Sequence, residues 1–436
     1  MDGNVRTSSK ARVLVARFAA TAAVAFALSL GSLPAKANGF SNIAFLQPTD
    51  LTAFQQLSFG VAADGPIMAA AALPTGTKPG TVYVFVLNNG TWQQQAELTA
   101  PDSTALNNRF GSSIAVRGNL LFVGDGNAVD PSGSVTGAVY VFANVNGTWT
   151  LQQKLFPAGA PDAISFGGQI ENGIAINGNT LAVGSGGGQG SVFVFVNNGG
   201  GWVQQARIVP SQSEPLVAGF GFSVALSGDT LLVGAPQTST AALRAPGAAF
   251  IFSRQNGVWT EQARIDPDTP LFVGNFADDV SLDGNTAVVG GPIAQEVDIW
   301  VKVNGNTWAP QAHLFLPDGF DETDFGMSLK VIGNLLLVGA YTDGNPDGVG
   351  SGKAYVYTRN GSTWTEHPDL EMAPGANGFS EASADLSLEP RFANFTAMSR
   401  LGGQTLFVLS AHGLNSPDPS DIRLVGGVYT AILNQN

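Results

Sequence analysis

Three oxygen-bearing side chains, Asp343, Asn345 and Asp347, alternate along one short segment of the sequence. Carboxylate and amide oxygens at every second position are the ligands with which a protein loop holds calcium. Pro346 interrupts this segment, and no glutamate follows at the position where a calcium loop carries its bidentate ligand. Asp, Asn, Gly and Pro are also the ordinary residues of turns. The three residues are therefore candidates for a metal site, and an ordinary turn is the alternative.

Acidic residues between apolar runs, among them Asp125, Asp130, Asp321 and Asp324, are the second chemical feature. Two carboxylates that flank a glycosidic bond can act as general acid and as base or nucleophile. The chain has 33 Asp and Glu residues, so some of them will lie close together by chance. We expect these four residues to belong to a binding face. The alternative is a solvated rim that keeps the protein soluble.

The other reactive residue types favour no enzyme. The three histidines, His313, His367 and His412, lie in different repeats, and a surface or packing role is expected for His313. Cysteine is absent, which excludes a disulfide, a thiolate zinc site and a cysteine nucleophile. No nucleophile elbow, zinc motif or phosphate-binding loop is present. The net charge of -13 argues against nucleic-acid binding, which needs a basic surface.

Residues 1–37 have the pattern of a secretory signal peptide. Basic residues precede an apolar stretch from Phe18 to Leu33, and Ala35-Lys36-Ala37 follows as the cleavage site. An uncleaved membrane anchor is the alternative, but the apolar stretch is short for a membrane span. We therefore expect a protein that is secreted, periplasmic or on the cell surface. Residues 38–436 would form its single domain, without a membrane span after cleavage.

One structural unit repeats along the rest of the chain and would position these residues. A Phe-Gly or Phe-Ala pair begins each of seven copies, at Phe59, Phe110, Phe166, Phe220, Phe276, Phe325 and Phe392. Each pair is followed by a tight turn, an apolar strand, a variable loop and a strand with aromatic residues. In six copies a second tight turn then leads to a tryptophan. The pattern predicts four short antiparallel strands joined as a meander.

Two features indicate that the units close into a ring. Strands such as that from Asn334 to Val338 are apolar on consecutive residues, as expected when both faces of a sheet are buried. The seventh repeat stops near Tyr429 without a fourth strand, whereas Ile43 to Leu46 resembles one. We therefore predict an all-β, seven-bladed β-propeller of four-stranded antiparallel blades. The N-terminal strand would complete the last blade and cover its edges.

The sequence Val233-Gly234-Ala235-Pro236 recurs in variants that begin at Val289 and Val338. Together with the Phe-Gly pairs it resembles the FG-GAP repeat of the integrin α-subunit head and of bacterial exported proteins. The resemblance implies a propeller with a role in recognition or adhesion. Calcium-binding members usually carry an Asp-x-Asp-x-Asp-Gly loop between the first two strands, and in all seven repeats this connection is a tight hairpin instead. No cofactor is therefore carried over, and calcium remains a candidate at Asp343 to Asp347, with Asp125, Asn127 and Asp130 as a looser version of the same pattern.

A four-strand meander has two different ends. The first and third turns lie at one end, here called the tight-turn face. The second turn and the connection between blades lie at the other end, here called the long-loop face, which holds most of the acids. We predict an exported, monomeric, non-enzymatic protein that binds a protein or glycan partner through the long-loop face. The alternatives are a carbohydrate-active lyase or hydrolase with carboxylates at the channel mouth, and a purely structural envelope or matrix protein.

Overall fold

The computed structural model describes residues 40–48, 57–72, 74, 78–102, 109–160, 163–168, 172–211, 217–238, 246–267, 275–316, 324–340, 352–367, 372, 391–412 and 427–434. The predicted signal peptide lies outside these ranges. The described residues form 28 strands in seven sheets of four strands each. None of the described residues is helical, and this part of the chain therefore contains no helix that could cross a membrane.

Each sheet is one blade of a β-propeller. Blade 1 consists of β2 (Leu57–Asp64), β3 (Ile67–Ala72), β4 (Thr81–Asn88) and β5 (Thr91–Thr99), and blade 2 of β6 (Ile114–Arg117), β7 (Leu120–Asp125), β8 (Ala138–Val145) and β9 (Thr148–Leu155). Blade 3 consists of β10 (Ile174–Asn177), β11 (Thr180–Ser185), β12 (Ser191–Asn197) and β13 (Trp202–Ile208), and blade 4 of β14 (Val224–Ser227), β15 (Thr230–Ala235), β16 (Ala248–Gln255) and β17 (Val258–Ile265). Blade 5 consists of β18 (Val280–Asp283), β19 (Thr286–Gly291), β20 (Glu296–Asn304) and β21 (Thr307–Phe315), and blade 6 of β22 (Ser328–Ile332), β23 (Leu335–Ala340), β24 (Lys353–Asn360) and β25 (Thr363–Glu366). Blade 7 consists of β26 (Arg391–Leu401), β27 (Gln404–His412), β28 (Gly427–Asn434) and β1 (Phe40–Leu46).

The N-terminal strand completes blade 7, as the sequence predicted. In this sheet β1 pairs antiparallel with β28, and Phe45 lies opposite Tyr429 while Leu46 lies opposite Val428. Phe40 is buried against Phe407 of β27, with the two rings edge to face at 5.6 Å. The two ends of the described chain therefore share one sheet, which closes the ring and leaves β28 paired on both sides.

Buried side chains from neighbouring blades form the core. At the boundary of blades 3 and 4, Val192 and Val194 lie in one cluster with Phe220, Phe250 and Phe252. Phe220 belongs to a Phe-Gly pair, and its ring meets those of Phe250 and Phe252 at 5.5 and 5.9 Å. Such edge-to-face contacts add to the free energy gained by burying the rings. The blades are thus held together largely by packing.

The Phe-Gly or Phe-Ala pairs meet glycines near the end of the second strand of blades 2 to 6, where two blades touch. The backbone N–H of Gly167 donates to the carbonyl oxygen of Gly184 in the same blade, at 2.9 Å. A Cβ atom on Gly184 would collide with the carbonyl oxygen of Gly221, which belongs to the next blade. Gly124, Gly234, Gly290 and Gly339 stand in the same relation to Gly167, Ala277, Gly326 and Ala393. The repeated motif is therefore a place where the backbones of adjacent blades come into contact.

Tight turns join the first two strands of the blades. Hydrogen bonds at these turns connect one blade to the next. The Oδ2 atom of Asp64 accepts a hydrogen bond from the Gly118 N–H of the next blade at 2.6 Å. The Asp283 carboxylate accepts from the Gly333 N–H in the same way, also at 2.6 Å. Between blades 7 and 1 the Gly65 N–H donates to Ser399 Oγ at 2.7 Å. These bonds connect the inner ends of the blades at the tight-turn face, including the pair of blades at the closure.

Candidate functional site

The structure places the predicted site residues in different surroundings. Asp343, Asn345 and Asp347 lie outside the described residues, as does Asp321. Their assignment to a metal site and to the binding face therefore stays a prediction. Three of the predicted residues, Asp125, Asp130 and Asp324, are described and lie at the long-loop face.

Asp125 ends the second strand of blade 2 and is buried, with 2% of its surface exposed. Its Oδ1 atom accepts hydrogen bonds from the backbone N–H groups of Arg109 and Asn127 at 2.9 and 3.0 Å. Burial raises the pKa of this carboxyl group, and the two backbone bonds partly oppose the rise. Asp125 thus holds the segment before blade 2 against the loop that follows β7.

Asp130 lies at the tip of the loop between β7 and β8. Its Oδ1 atom accepts bonds from the N–H and the Oγ–H of Ser132 and from the N–H of Ser134. These bonds, first among them the one from the Ser132 hydroxyl, lower the pKa of Asp130. Val129 and Val135 form a β-bridge beside it, and half or more of each valine is exposed. The loop tip therefore presents two apolar side chains around an ionised carboxylate.

Asp324 lies near two acids that the sequence prediction overlooked, Asp278 and Asp279, just before the first strand of blade 5. Both are buried. Burial raises the pKa of Asp278 to about 7, and the charges of Asp279 and Asp324 add to this rise. Burial also raises the pKa of Asp279 to about 6, although Asn172 and Lys330 oppose the rise. The inner end of blade 5 therefore contains two adjacent carboxyl groups whose ionisation is disfavoured by burial.

The hydrogen bonds of the Asp279 carboxylate reach across the channel and link three blades. Its Oδ1 atom accepts bonds from Asn172 Nδ2 at 2.5 Å and from the Val280 N–H at 2.7 Å. Its Oδ2 atom accepts from the Leu329 N–H of blade 6 at 2.7 Å. In three other blades this position carries a serine, whose hydroxyl donates to a carbonyl oxygen of the next blade. An ionised aspartate cannot donate, and here it accepts bonds from across the channel instead.

The hydrogen bond between Asn172 and Asp279 separates two spaces within the channel. On the long-loop side, a void of about 10 Å³ lies between these two residues and Thr396, which is room for about one water molecule. On the other side, a cavity of about 360 Å³ is lined by the first strands of all seven blades. Asp279 thus lies beside the small void, and the larger cavity extends towards the tight-turn face.

A groove of about 560 Å³ lies at the long-loop end of blade 3. Its walls include Ile164, which precedes blade 3, and Val209, which follows it, with 54% and 45% of their surfaces exposed. Gly187 and Gly188 of the loop between β11 and β12 also line it. Arg207 lies at one side, where its Nε–H donates to Ser191 Oγ at 3.0 Å. The groove therefore combines aliphatic walls, accessible backbone and one guanidinium group.

Blade 5 also departs from the other blades in its outer strands. In blades 2, 3 and 4 a cation of the fourth strand lies over an aromatic ring of the third, as Lys154 does over Tyr140 at 4.7 Å. The corresponding residues of blade 5 are His313 and Asp298, which lie opposite each other in the sheet. His313 Nδ1 is 2.6 Å from Asp298 Oδ1. The role of His313 is therefore an inter-strand polar contact at the edge of the core.

The free energy of unfolding is expected to fall as the pH rises towards 7. The folded pKa of Asp278, about 7, lies above the ordinary value of 3.8, so between these values the folded protein binds a proton that the unfolded chain releases. Stability therefore decreases with rising pH in this interval. The D278N variant cannot ionise and should be more stable than the wild type at pH 8, by roughly 2 kcal/mol after allowance for coupling to the other acids.

Denaturant titrations of the full chain between pH 4 and pH 9 measure this difference. The control is D266N, because Asp266 is half exposed and bonded to Arg264 at the surface. If the free energies of unfolding of D278N and wild type depended on pH in the same way, the raised pKa of Asp278 would be contradicted.

Three segments of the chain match the FG-GAP repeat, residues 92–142, 202–252 and 308–357. Each segment begins at the tryptophan of one blade and ends at the second aromatic position of the third strand in the next blade. The FG-GAP unit of the sequence is thus offset from the blade of the structure and spans the boundary between two blades. The protein is a seven-bladed β-propeller that contains FG-GAP repeats.

A solved structure supports the fold alone. A chain in the crystal structure of a mitotic checkpoint complex is 14% identical with a TM-score of 0.51, and the match covers 98% of this chain and 99% of that chain. The periplasmic gluconolactonase of Pseudomonas aeruginosa is 14% identical with a TM-score of 0.48, over 78% of this chain and 94% of the other. A putative 6-phosphogluconolactonase of Bacteroides uniformis is 14% identical with a TM-score of 0.49, over 76% and 92%. None of the curated proteins compared with the chain matches it.

Proposed function

We propose that this protein is an exported, non-enzymatic recognition module that binds its partner at the long-loop face. The observation that carries the proposal is the groove at the long-loop end of blade 3, because it combines volume with exposed aliphatic side chains on a rigid scaffold. Its volume lies in the range of ordinary ligand sites. Exposed apolar residues grouped in one depression are typical of surfaces that bind a partner.

The chemistry of the groove favours a peptide over a glycan. Ile164 and Val209 would pack against apolar side chains of an extended segment, and the loop at Gly187 and Gly188 offers backbone groups for hydrogen bonds. Arg207 would pair with a carboxylate of the partner, since a guanidinium group binds carboxylates with two parallel hydrogen bonds. The described walls include no aromatic ring on which a sugar could stack. We therefore favour a protein partner that presents an extended segment with an acidic residue.

The alternative of a carbohydrate-active enzyme has less support. It requires two carboxylates that face each other across a space large enough for a sugar ring. Asp278 and Asp279 are adjacent buried acids in the described part of the chain, and only Asp279 lines a space, a void of about 10 Å³. Three donors occupy the carboxylate of Asp279. The arrangement suits a structural role better than a catalytic one.

A charge placed in the groove is expected to abolish partner binding. Peptides selected from a random displayed library on the full wild-type chain would serve as probes, and a glycan array would be run in parallel. The V209E variant should bind the selected peptides at least about tenfold more weakly, because an ionised carboxylate would be desolvated against the aliphatic wall and would repel acidic peptides.

The matched control is V303E, because Val303 is 50% exposed in the hairpin between β20 and β21 at the opposite face. Equal binding by V209E and V303E would contradict a site in the groove. Sugars bound by the array while no peptide is selected would replace the peptide with a glycan as the partner.

A further inference from the structure

Lys330 is the residue of the central channel that the repeat pattern does not explain. It lies in the middle of β22, the first strand of blade 6, and its side chain lines the cavity of about 360 Å³. Four blades carry an alanine at the same position relative to the first turn, Ala62, Ala115, Ala175 and Ala225, and blade 5 carries Ser281. A long cation therefore stands where the other inner strands of the described blades carry a small residue.

The side chain of Lys330 is partly exposed to the cavity and makes no direct polar contact there. The carboxylate of Asp279 in the adjacent blade attracts the amine, but no hydrogen bond and no ion pair joins Lys330 to any residue that the structure describes. Desolvation of the amine lowers its pKa, and the attraction of Asp279 only partly opposes this. Burying a cation without a hydrogen bond costs free energy. The three N–H donors of Lys330 are therefore available to a molecule in the cavity.

Asp279 does not satisfy these donors, because its own hydrogen bonds fix it elsewhere. Its two oxygens accept from Asn172, Val280 and Leu329, and this network holds the carboxylate across the channel. The other acids that line the cavity, Asp64 and Asp283, lie at the tight-turn end. There they accept bonds from glycine N–H groups of the next blade. The cavity thus contains a cation that no described carboxylate contacts directly.

The other residues of the cavity define the class of ligand. Apolar side chains such as Ile174, Val224 and Met398 form most of the wall. Arg117 and Arg400 lie at the tight-turn end of the same cavity, and Arg117 is 3.6 Å from the Asp64 carboxylate. The bond between Asn172 and Asp279 crosses the opposite end. A ligand would therefore enter from the tight-turn face, past a mouth that carries both signs of charge.

We propose that the central channel is a binding site for a small organic carboxylate with an aliphatic body. The carboxylate accepts hydrogen bonds from Lys330 Nζ, and the aliphatic part packs against the first strands of the blades. The cavity lies near the lower limit of ordinary ligand sites, which restricts the ligand to a small molecule. This site is separate from the groove, which lies at the other face of the ring.

Calorimetric titration of the full chain with hexanoate at pH 7 tests the proposal. Hexanoate should bind the wild type, and the K330M variant, which keeps the length of the side chain without its charge, should bind about tenfold more weakly or worse. Inorganic phosphate should bind more weakly than hexanoate, because it cannot use the apolar wall. The control is K302M, because Lys302 lies opposite Trp308 in the outer strands and does not line the cavity.

A wild-type titration without heat of binding, or equal affinities in wild type and K330M, would overturn the site. Phosphate that binds as tightly as hexanoate would overturn the assignment of an aliphatic body. A second experiment does not depend on any variant: crystals of the wild type soaked with 6-bromohexanoate should show anomalous scattering from bromine inside the channel. Bromine found only elsewhere on the protein would contradict the proposal.

Discussion

A chain that begins at residue 49, without β1, is expected to lose its cooperative unfolding transition and to aggregate. The reason is that β28 would become an exposed edge of an otherwise complete ring. Phe40 and Leu46 are each only 2% exposed in the full structure, so their partners in blades 6, 7 and 1 would also be left open to water. An unpaired strand with apolar neighbours is a template for association with other chains.

Thermal unfolding and size-exclusion chromatography of the shortened chain measure this effect. A synthetic peptide of residues 38–48 should restore the folded monomer when added in excess, because it can pair with β28 in the native register. The same peptide with scrambled sequence is the control. A shortened chain that is monomeric and unfolds at the wild-type temperature would refute the role of β1 in closure.

Replacement of Gly184 by valine is expected to destabilise the protein by more than about 3 kcal/mol or to prevent folding. The side chain would have to occupy the space of the Gly221 carbonyl oxygen, which belongs to the backbone of the next blade. Backbone cannot move aside as a flexible side chain can, so the two blades would have to separate. Their shared cluster around Phe220 would then lose its packing.

The matched control is G403V. Gly403 lies in the turn between β26 and β27, and a Cβ atom there would meet nothing within 4 Å. The G403V substitution should change the free energy of unfolding by no more than about 0.5 kcal/mol, as most exposed substitutions do. Denaturant titrations of both variants compare the two positions. Similar stabilities of G184V and G403V would show that the motif glycine does not carry the contact between blades.

The chemistry of individual residues was harder to predict from the sequence than the fold. Asp125 and Asp130 look equivalent in the sequence, yet the first is buried and holds two backbone N–H groups, while the second lies at an exposed tip. Asp278 and Asp279 were overlooked because their significance depends on Asn172, which is more than a hundred positions away. The sequence did contain an indication of Asp279, because aspartate stands there at the position where other repeats carry a serine. Aligning the inner strands would likewise have revealed Lys330.

The sequence by itself determined the architecture, because each repeat contains its own turns, its own periodicity and half of each contact between blades. Seven copies and a missing last strand were sufficient to predict a ring closed by the N-terminus. Only the tertiary structure decided what the ring encloses and presents. The cavity arises where the first strands of all seven blades come together, and the groove arises from loops at one end of blade 3. The surroundings of Asp279 and Lys330 are set by strands that the repeat pattern treats as equivalent.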